Sequence, residues 1–155
     1  MKEKNSNGYW FLETHVKIRN SGDQNADQIS VLEHQAYHGD SPPLHIHHTE
    51  DEVFLVLEGE FRFVIGSNEH RLRAGDTILA PKGIPHAYRV ESINGGKWIT
   101  ITTGHDFENF VKAISRPAEG DVLPERLGPP TEAFKLELAA KSAEYNIEIV
   151  GPPLH

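Results

Sequence analysis

Short runs of alternating apolar and polar residues recur along the first two thirds of the chain, each between residues that favour turns. A period of two residues is typical of a strand that buries one face. Such runs predict strands at residues 10–18, 28–37, 53–57, 61–65, 77–80, 86–90 and 97–102. Gly, Asn and Asp are concentrated between them, at 20–27, 66–70, 74–76 and 94–96. This rhythm predicts an all-β fold, an antiparallel barrel or sandwich.

From Asp106 onward the apolar period becomes helical. Its members lie at i, i+3, i+4 and i+7: Phe107, Phe110, Val111 and Ile114. Asp106 is placed to cap this helix, and Thr131 is placed to cap a second one over about 132–145. Residues 147–155 are predicted to be extended. We expect the helices to pack on the outside of the barrel or on a second subunit, and a lid over the barrel mouth is the alternative.

Length and composition fit one domain. The chain has 155 residues, of which 37% are hydrophobic and 25% charged, which is ordinary for a globular protein. We expect a single domain over 1–155, with a barrel core at about 9–103 and a C-terminal helical segment at about 105–150. No internal repeat is visible.

The net charge and the lack of long apolar runs limit the expected binding partners and the expected cellular location. The net charge is -8, and no cluster of Lys and Arg is present, so nucleic acid and anionic membranes are not expected as partners. The start of the chain lacks the apolar core of a secretion signal, and no run approaches the roughly 20 apolar residues of a membrane helix. A cytoplasmic protein is predicted. The absence of cysteine excludes disulfides and thiolate metal ligands.

Three histidines and one glutamate have the spacing of a transition-metal site. His45 and His47 are two residues apart, so both side chains leave the same face of an extended strand. Glu52 opens the next predicted strand and can meet the pair from a neighbouring strand. His86 follows a Pro/Gly turn at the start of another strand. Imidazole and carboxylate suit borderline divalent ions, so these four residues are predicted to bind one metal ion.

The same residues carry a family resemblance. Residues 39–59 follow the pattern G-x5-H-x-H-x4-E-x6-G, and residues 75–90 follow G-x5-P-x-G-x2-H, ending in Val90 where the pattern has Asn. The chain resembles the cupin superfamily, and small bacterial cupins of the quercetin 2,3-dioxygenase-like kind in particular. The resemblance implies a small antiparallel barrel, or jelly roll, with His45, His47, Glu52 and His86 holding a metal near its mouth. It also implies a homodimer, which would cover exposed strand edges.

The ligand types leave the ion and the reaction open. Fe, Mn, Co, Ni, Cu and Zn all suit three imidazoles and one carboxylate, and an octahedral ion would keep two positions free. Such a site serves a dioxygenase acting on an aromatic or enolisable small molecule, which the resemblance favours. It also serves a small-molecule binder without catalysis, or a Lewis-acid isomerase. Glu52 either acts as a ligand only or also takes a proton from the substrate.

Alternation along the strands predicts the pocket walls. Phe54 lies two residues after Glu52, and Tyr88 two after His86, so both are expected on the inner face, and Phe63 can reach the same cavity. As cavity walls these rings favour a flat or apolar substrate. Core packing is the alternative role for each of them, above all for Phe63. A sugar-phosphate isomerase would need cationic side chains near the metal, and the arginines of the predicted strands fall on polar or outward positions, which disfavours that class.

The other histidines are not expected to bind the metal ion. His15, His34, His38, His70, His105 and His155 are predicted to be solvated, capping or packing residues. His48 follows the ligand pair directly and points to the opposite face of an extended strand, so it is expected to be exposed.

Overall fold

The computed structural model describes residues 7–155, and its elements are mostly strands. The strands are β1 Tyr9–Phe11, β2 Thr14–Asn20, β3 Ser30–Ala36, β4 His45–His47, β5 Glu52–Glu58, β6 Glu60–Ile65, β7 Asn68–Arg73, β8 Thr77–Ala80, β9 His86–Val90, β10 Gly96–Thr102, β11 Arg116–Pro117 and β12 Ile147–Ile149. The helices are α1 Asp106–Ile114 and α2 Glu132–Ala143, and a short 3-10 turn covers Gly22–Gln24.

The strands form two antiparallel sheets. One has the order β11-β1-β2-β3-β10-β5-β8, and the other has the order β12-β4-β9-β6-β7. Consecutive strands such as β4 and β5 lie in different sheets, so the chain crosses repeatedly from one layer to the other. This double-sheet arrangement confirms the all-β prediction and is consistent with a jelly roll.

The core fills the space between the sheets. Val56 of β5 and Trp98 of β10 point inward from one sheet, while Phe61, Phe63 and Val90 point inward from the other. All five are at most 1% exposed. Inward apolar residues alternate with outward residues along β5 and β10, as expected for strands with one buried face.

The first predicted strand is two strands. The chain turns back at Leu12 and Glu13, so that Phe11 pairs with Thr14 and Tyr9 with Val16. Leu12 adopts a positive φ of 55°, which a leucine rarely does and which a pattern of apolar residues does not indicate. The prediction of one continuous strand over residues 10–18 was therefore wrong.

A strand also replaces part of a predicted turn. Residues 66–70 were expected to be a loop, but β7 begins at Asn68 and pairs with β6 along its whole length. Its side chains are exposed except for Leu72. Pairing with the apolar strand β6 imposes the strand conformation on a sequence that has little preference for it.

Both predicted helices are present, but the first has a different cap. Thr131 caps α2 as predicted, because its hydroxyl accepts the Phe134 N–H at 3.1 Å. Asp106 does not cap α1, since it is already the first helical residue and its carboxylate accepts hydrogen bonds from Thr49 and Asn146 instead. Within the described residues, neither helix is long and apolar enough to cross a membrane.

A buried carboxylate ties α1 to the seven-stranded sheet. Glu108 is completely buried and accepts hydrogen bonds from Ser21 Oγ at 2.7 Å, Gly22 N at 2.9 Å and Ser30 Oγ at 2.7 Å. Lys112, one turn later on α1, lies 2.6 Å away and balances the charge. The interaction joins the start of β3, the preceding loop and the helix.

We expect Glu108→Ala to lower the free energy of unfolding by about 3 kcal/mol, because it leaves several buried donors without an acceptor. Glu119→Ala is the matched control, since Glu119 is exposed. Urea denaturation followed by circular dichroism measures both. A loss for Glu108→Ala no larger than that of the control would show that this carboxylate does not anchor the helix.

Candidate metal centre

The four predicted ligands come together between the two sheets. His45 and His47 lie on β4 and His86 on β9, and His45 pairs directly with His86 in the five-stranded sheet. Glu52 opens β5 in the other sheet, so it reaches the histidines across the core and not from a hydrogen-bonded neighbouring strand. The set therefore joins both layers of the fold.

The distances are those of a group that can hold one metal ion. One ligand atom from each of the four residues lies within 4.8 Å of the others. Glu52 Oε2 is 2.7 Å from His86 Nε2 and 3.2 Å from His47 Nε2. Ligand atoms at about 2.1 Å from one ion lie within roughly 4.2 Å of each other, so the residues fit an ion after a small contraction.

Backbone carbonyls orient two of the imidazoles. His45 Nδ1 donates to the Pro43 carbonyl at 2.6 Å, and His86 Nδ1 donates to the Ile84 carbonyl at 3.2 Å. A carbonyl only accepts, so His45 carries its proton on Nδ1, and its Nε2 keeps the lone pair that binds a metal. His86 Nε2 faces a second acceptor, Glu52 Oε2 at 2.7 Å, so only the lone pair of His45 is preset. Such hydrogen bonds on the far side of the ring are usual for metal-binding histidines.

Glu50 takes the corresponding place behind His47, and sequence reasoning missed it. Its Oε2 lies 3.6 Å from His47 Nδ1, and its Oε1 accepts the N–H groups of Asp106 at 2.6 Å and Phe107 at 3.3 Å. The fully buried Glu50 thus caps α1 and faces a candidate ligand at once. The only signal was an acid three residues after His47, within an acidic run whose members the sequence does not distinguish.

Burial and mutual charges set the protonation of the ligands. Burial, followed by the neighbouring His86 and His47, lowers the pKa of His45 to about 3. Burial alone would raise the pKa of Glu52, but the surrounding histidines lower it to about 2. Burial also opposes the charged form of His47, yet the carboxylates of Glu52 and Glu50 raise its pKa. At neutral pH the site therefore offers an ionised carboxylate and a neutral His45.

A cavity of about 90 Å³ opens beside the ligands. His45, His47 and Glu52 line it, whereas His86 lies behind them. Phe54 and Tyr88 lie on its wall, where their alternation placed them, and the Tyr88 hydroxyl points away to Asp40 at 3.5 Å.

Phe63 lies elsewhere. It is completely buried in the core, and its ring packs behind Phe54 with the centroids 5.0 Å apart. It is not among the residues that line the cavity, whereas Phe54 is. Packing is therefore its role in the described structure.

The C-terminal segment forms part of the cavity wall. Leu138 and Ser142 of α2 and Ile147 and Ile149 of β12 all line the cavity. β12 adds to the edge of β4, with Ile147 opposite His47 and Ile149 opposite His45. Because part of α2 lines the cavity, the structure favours the alternative of a lid over packing on the outside of the barrel.

Other wall residues were also missed as site residues, among them Trp98, Phe107 and His34. Trp98 and Phe107 supply aromatic faces, and His34 supplies an imidazole from β3. Their signal in the sequence was ordinary apolar periodicity, which does not separate a cavity wall from a solid core. His48 is exposed, as predicted, and contacts Glu148.

Comparisons with known proteins agree with this picture. Residues 31–104 match the family model described as a Cupin domain. The quercetin 2,3-dioxygenase of Bacillus subtilis (strain 168) is 30% identical over 109 residues, which cover 70% of this chain and 32% of that protein. The chain spans less than half the length of the curated relatives that it matches.

Solved structures show the same fold at low identity. KdgF from Halomonas sp. superposes with a TM-score of 0.54 at 18% identity, covering 62% of this chain and 84% of that one. The cupin domain of Cnp3 from Schizosaccharomyces pombe gives a TM-score of 0.55 at 10% identity, covering 64% and 66%. These similarities show the fold. The family match and the similarity to the Bacillus subtilis protein show that the chain belongs to the cupin superfamily.

Proposed function

We propose that this cupin is a metal-dependent dioxygenase acting on a compact aromatic or enolisable molecule. The observation that carries the proposal is the cluster of three imidazoles and one carboxylate beside a cavity whose other walls are mostly apolar and aromatic. The similarity to a quercetin 2,3-dioxygenase supports the same class of reaction, although it extends over only part of that protein.

His45, His47, Glu52 and His86 would hold one divalent transition metal ion. When bound, such an ion supplies Lewis acidity and open coordination positions, which oxygenation of an enol by dioxygen requires. The ligand types suit Fe, Mn, Co, Ni, Cu and Zn alike and do not select among them. The protein contributes the preset Nε2 lone pair of His45 and a cavity whose walls are mostly apolar.

Glu52 is the candidate proton acceptor. Both imidazole contacts fall on its Oε2, so Oε1 is the oxygen that can turn toward a substrate hydroxyl. Its low pKa keeps it ionised but makes it a weak base. It therefore suits a substrate with an acidic hydroxyl, such as an enol or a phenol.

The cavity walls narrow the substrate class. Among the described residues that line the cavity there is no Lys or Arg, so a phosphate group would meet no cation there. This observation disfavours a sugar-phosphate isomerase. A volume of about 90 Å³ favours a compact molecule, because drug-sized ligands occupy cavities of roughly 300 Å³ or more. The rings of Phe54 and Tyr88 would lie against the flat faces of such a substrate.

We expect purified protein to carry about one transition metal ion per chain and His86→Ala to lose it, because one of the four ligands is gone. His48→Ala is the matched control, since His48 is exposed beside the same strand. Elemental analysis measures the metal, and an oxygen electrode measures uptake with a series of flat enols. Ligand binding without oxygen uptake would indicate a binding protein instead. If Glu52→Gln kept its full metal content and activity, Glu52 would not be a metal ligand.

Metal affinity should rise with pH and then level off. Binding requires neutral imidazoles, and His47, whose pKa is raised by Glu52 and Glu50, must lose its proton, while His45 is already neutral and Glu52 ionised. In Glu50→Gln the rise should move to lower pH, because one of the carboxylates that favour protonated His47 is removed. Competition with a chromophoric chelator between about pH 5.5 and 8.5 measures it. If metal affinity did not depend on pH, or if it rose at the same pH in Glu50→Gln as in wild type, deprotonation of His47 would not control metal binding.

A further inference from the structure

His34 is a polar residue on the inner face of the seven-stranded sheet. It lies in the middle of β3, where Leu32 and Ala36 on either side are buried apolar residues of the same face. Its ring is stacked on Trp98, with centroids 4.8 Å apart and planes 5° apart, and on Phe107 at 6.0 Å and 15°. The two aromatic neighbours fix the plane of the imidazole.

The Nε2 atom of His34 has no hydrogen-bond partner among the described residues. The residue is only 3% exposed, so this nitrogen is buried away from bulk water. An unpaired buried polar atom costs stability, and an apolar side chain of similar shape would avoid that cost. Packing alone therefore does not account for a histidine at this position.

The imidazole is neutral, which restricts what it can bind. Burial lowers the pKa of His34 to about 3, and the negative charge of Glu52 only partly opposes this. A neutral ring offers one donor and one acceptor and no positive charge. It suits a hydroxyl or carbonyl oxygen better than a phosphate or another strongly anionic group.

His34 shares the cavity with the candidate metal ligands. It lines the same cavity as His45, His47 and Glu52. The Phe107 ring is 6.0 Å from His34 and 5.7 Å from His47, so both imidazoles contact the same aromatic ring. Most of the remaining wall is apolar. A molecule that fills this cavity beside the metal ligands therefore also lies near His34.

We propose that His34 Nε2 hydrogen-bonds to a hydroxyl or carbonyl oxygen of the substrate, while a second oxygen of the same molecule faces the four metal ligands. The position of the second oxygen rests on the function proposed above. The substrate class is thereby narrowed to compact flat molecules that carry oxygen atoms on two opposite sides. His34 is a substrate-binding residue in this arrangement and not a metal ligand.

A matched pair of probes tests the contact. Kojic acid is a flat ring with a hydroxyketone pair on one side and a hydroxymethyl group on the other, and pyromeconic acid is the same ring without the hydroxymethyl group. Isothermal titration calorimetry measures their Kd values on the cobalt-loaded protein, with the metal content determined for each sample. We expect kojic acid to bind roughly three- to tenfold more tightly, the gain of one hydrogen bond.

Two variants of His34 test whether this residue causes the tighter binding of kojic acid. In His34→Phe the preference for kojic acid should disappear, because the hydrogen-bonding atom is removed while the stacking remains. In His34→Gln the side-chain amide can take the place of Nε2, so the preference should persist. This cycle of variant and ligand isolates the contact from general effects on the cavity.

Thermal unfolding without metal gives an independent readout. His34→Phe should melt at the same temperature as wild type or higher, because an unpaired buried nitrogen is removed. His15→Phe is the control: His15 is equally buried, but its Nε2 lies 2.8 Å from the Asn7 carbonyl and 3.0 Å from the Gly120 carbonyl. It should melt lower and keep the preference between the probes.

The outcomes separate this inference from the proposed function. An undiminished preference in His34→Phe, or no preference in wild type, overturns the role of His34 and leaves the metal site intact. A wild type that takes up no metal but prefers kojic acid through His34 supports the contact and refutes the proposed oxygenation.

Discussion

The contact between Glu52 and the histidines of the opposite sheet is the constraint on which the site depends. Glu52 Oε2 lies 2.7 Å from His86 Nε2, and both side chains are buried. A carboxylate and three imidazoles are costly to bury singly, because each loses its hydration. Placed together they compensate one another, which the lowered pKa of Glu52 expresses. The two sheets must therefore keep their spacing for the ligands to remain a set.

Glu50 extends this network beyond the sheets. Through one buried carboxylate, the start of α1 is connected to the back of His47. The same helix carries Phe107, which lines the cavity and contacts both His47 and His34. The orientation of a candidate ligand and the shape of the cavity thus depend on a shared anchor. Glu108 holds the other side of the helix against the sheet.

Much of the fold and the ligand set could be predicted from the sequence, because both depend on local patterns. Alternation marks strands, and the spacing of His45 and His47 places two imidazoles on one face. The turn at Leu12 and the strand β7 could not be predicted, since they depend on pairing with distant residues.

The rest of the site depends on which inward residues border open space. Phe54, Phe63 and His34 all point inward, yet only Phe54 and His34 reach the cavity. The periodicity of a strand predicts which face of the sheet a side chain lies on, but not whether that side chain borders the cavity. The roles of Glu50 and His34 likewise arise from neighbours far away in the chain. The homodimer and the cytoplasmic location stay predictions.

The contribution of residues 138–149 to the cavity wall has a consequence for how such a protein can diversify. The reactive groups come from the strands between residues 45 and 86, whereas one side of the enclosure comes from a segment that folds back from the other end of the chain. Substitutions or insertions in that segment can reshape the enclosure and leave each reactive group in place. Selectivity and reactivity are thereby encoded in separate stretches of sequence, so one can evolve while the other is held constant.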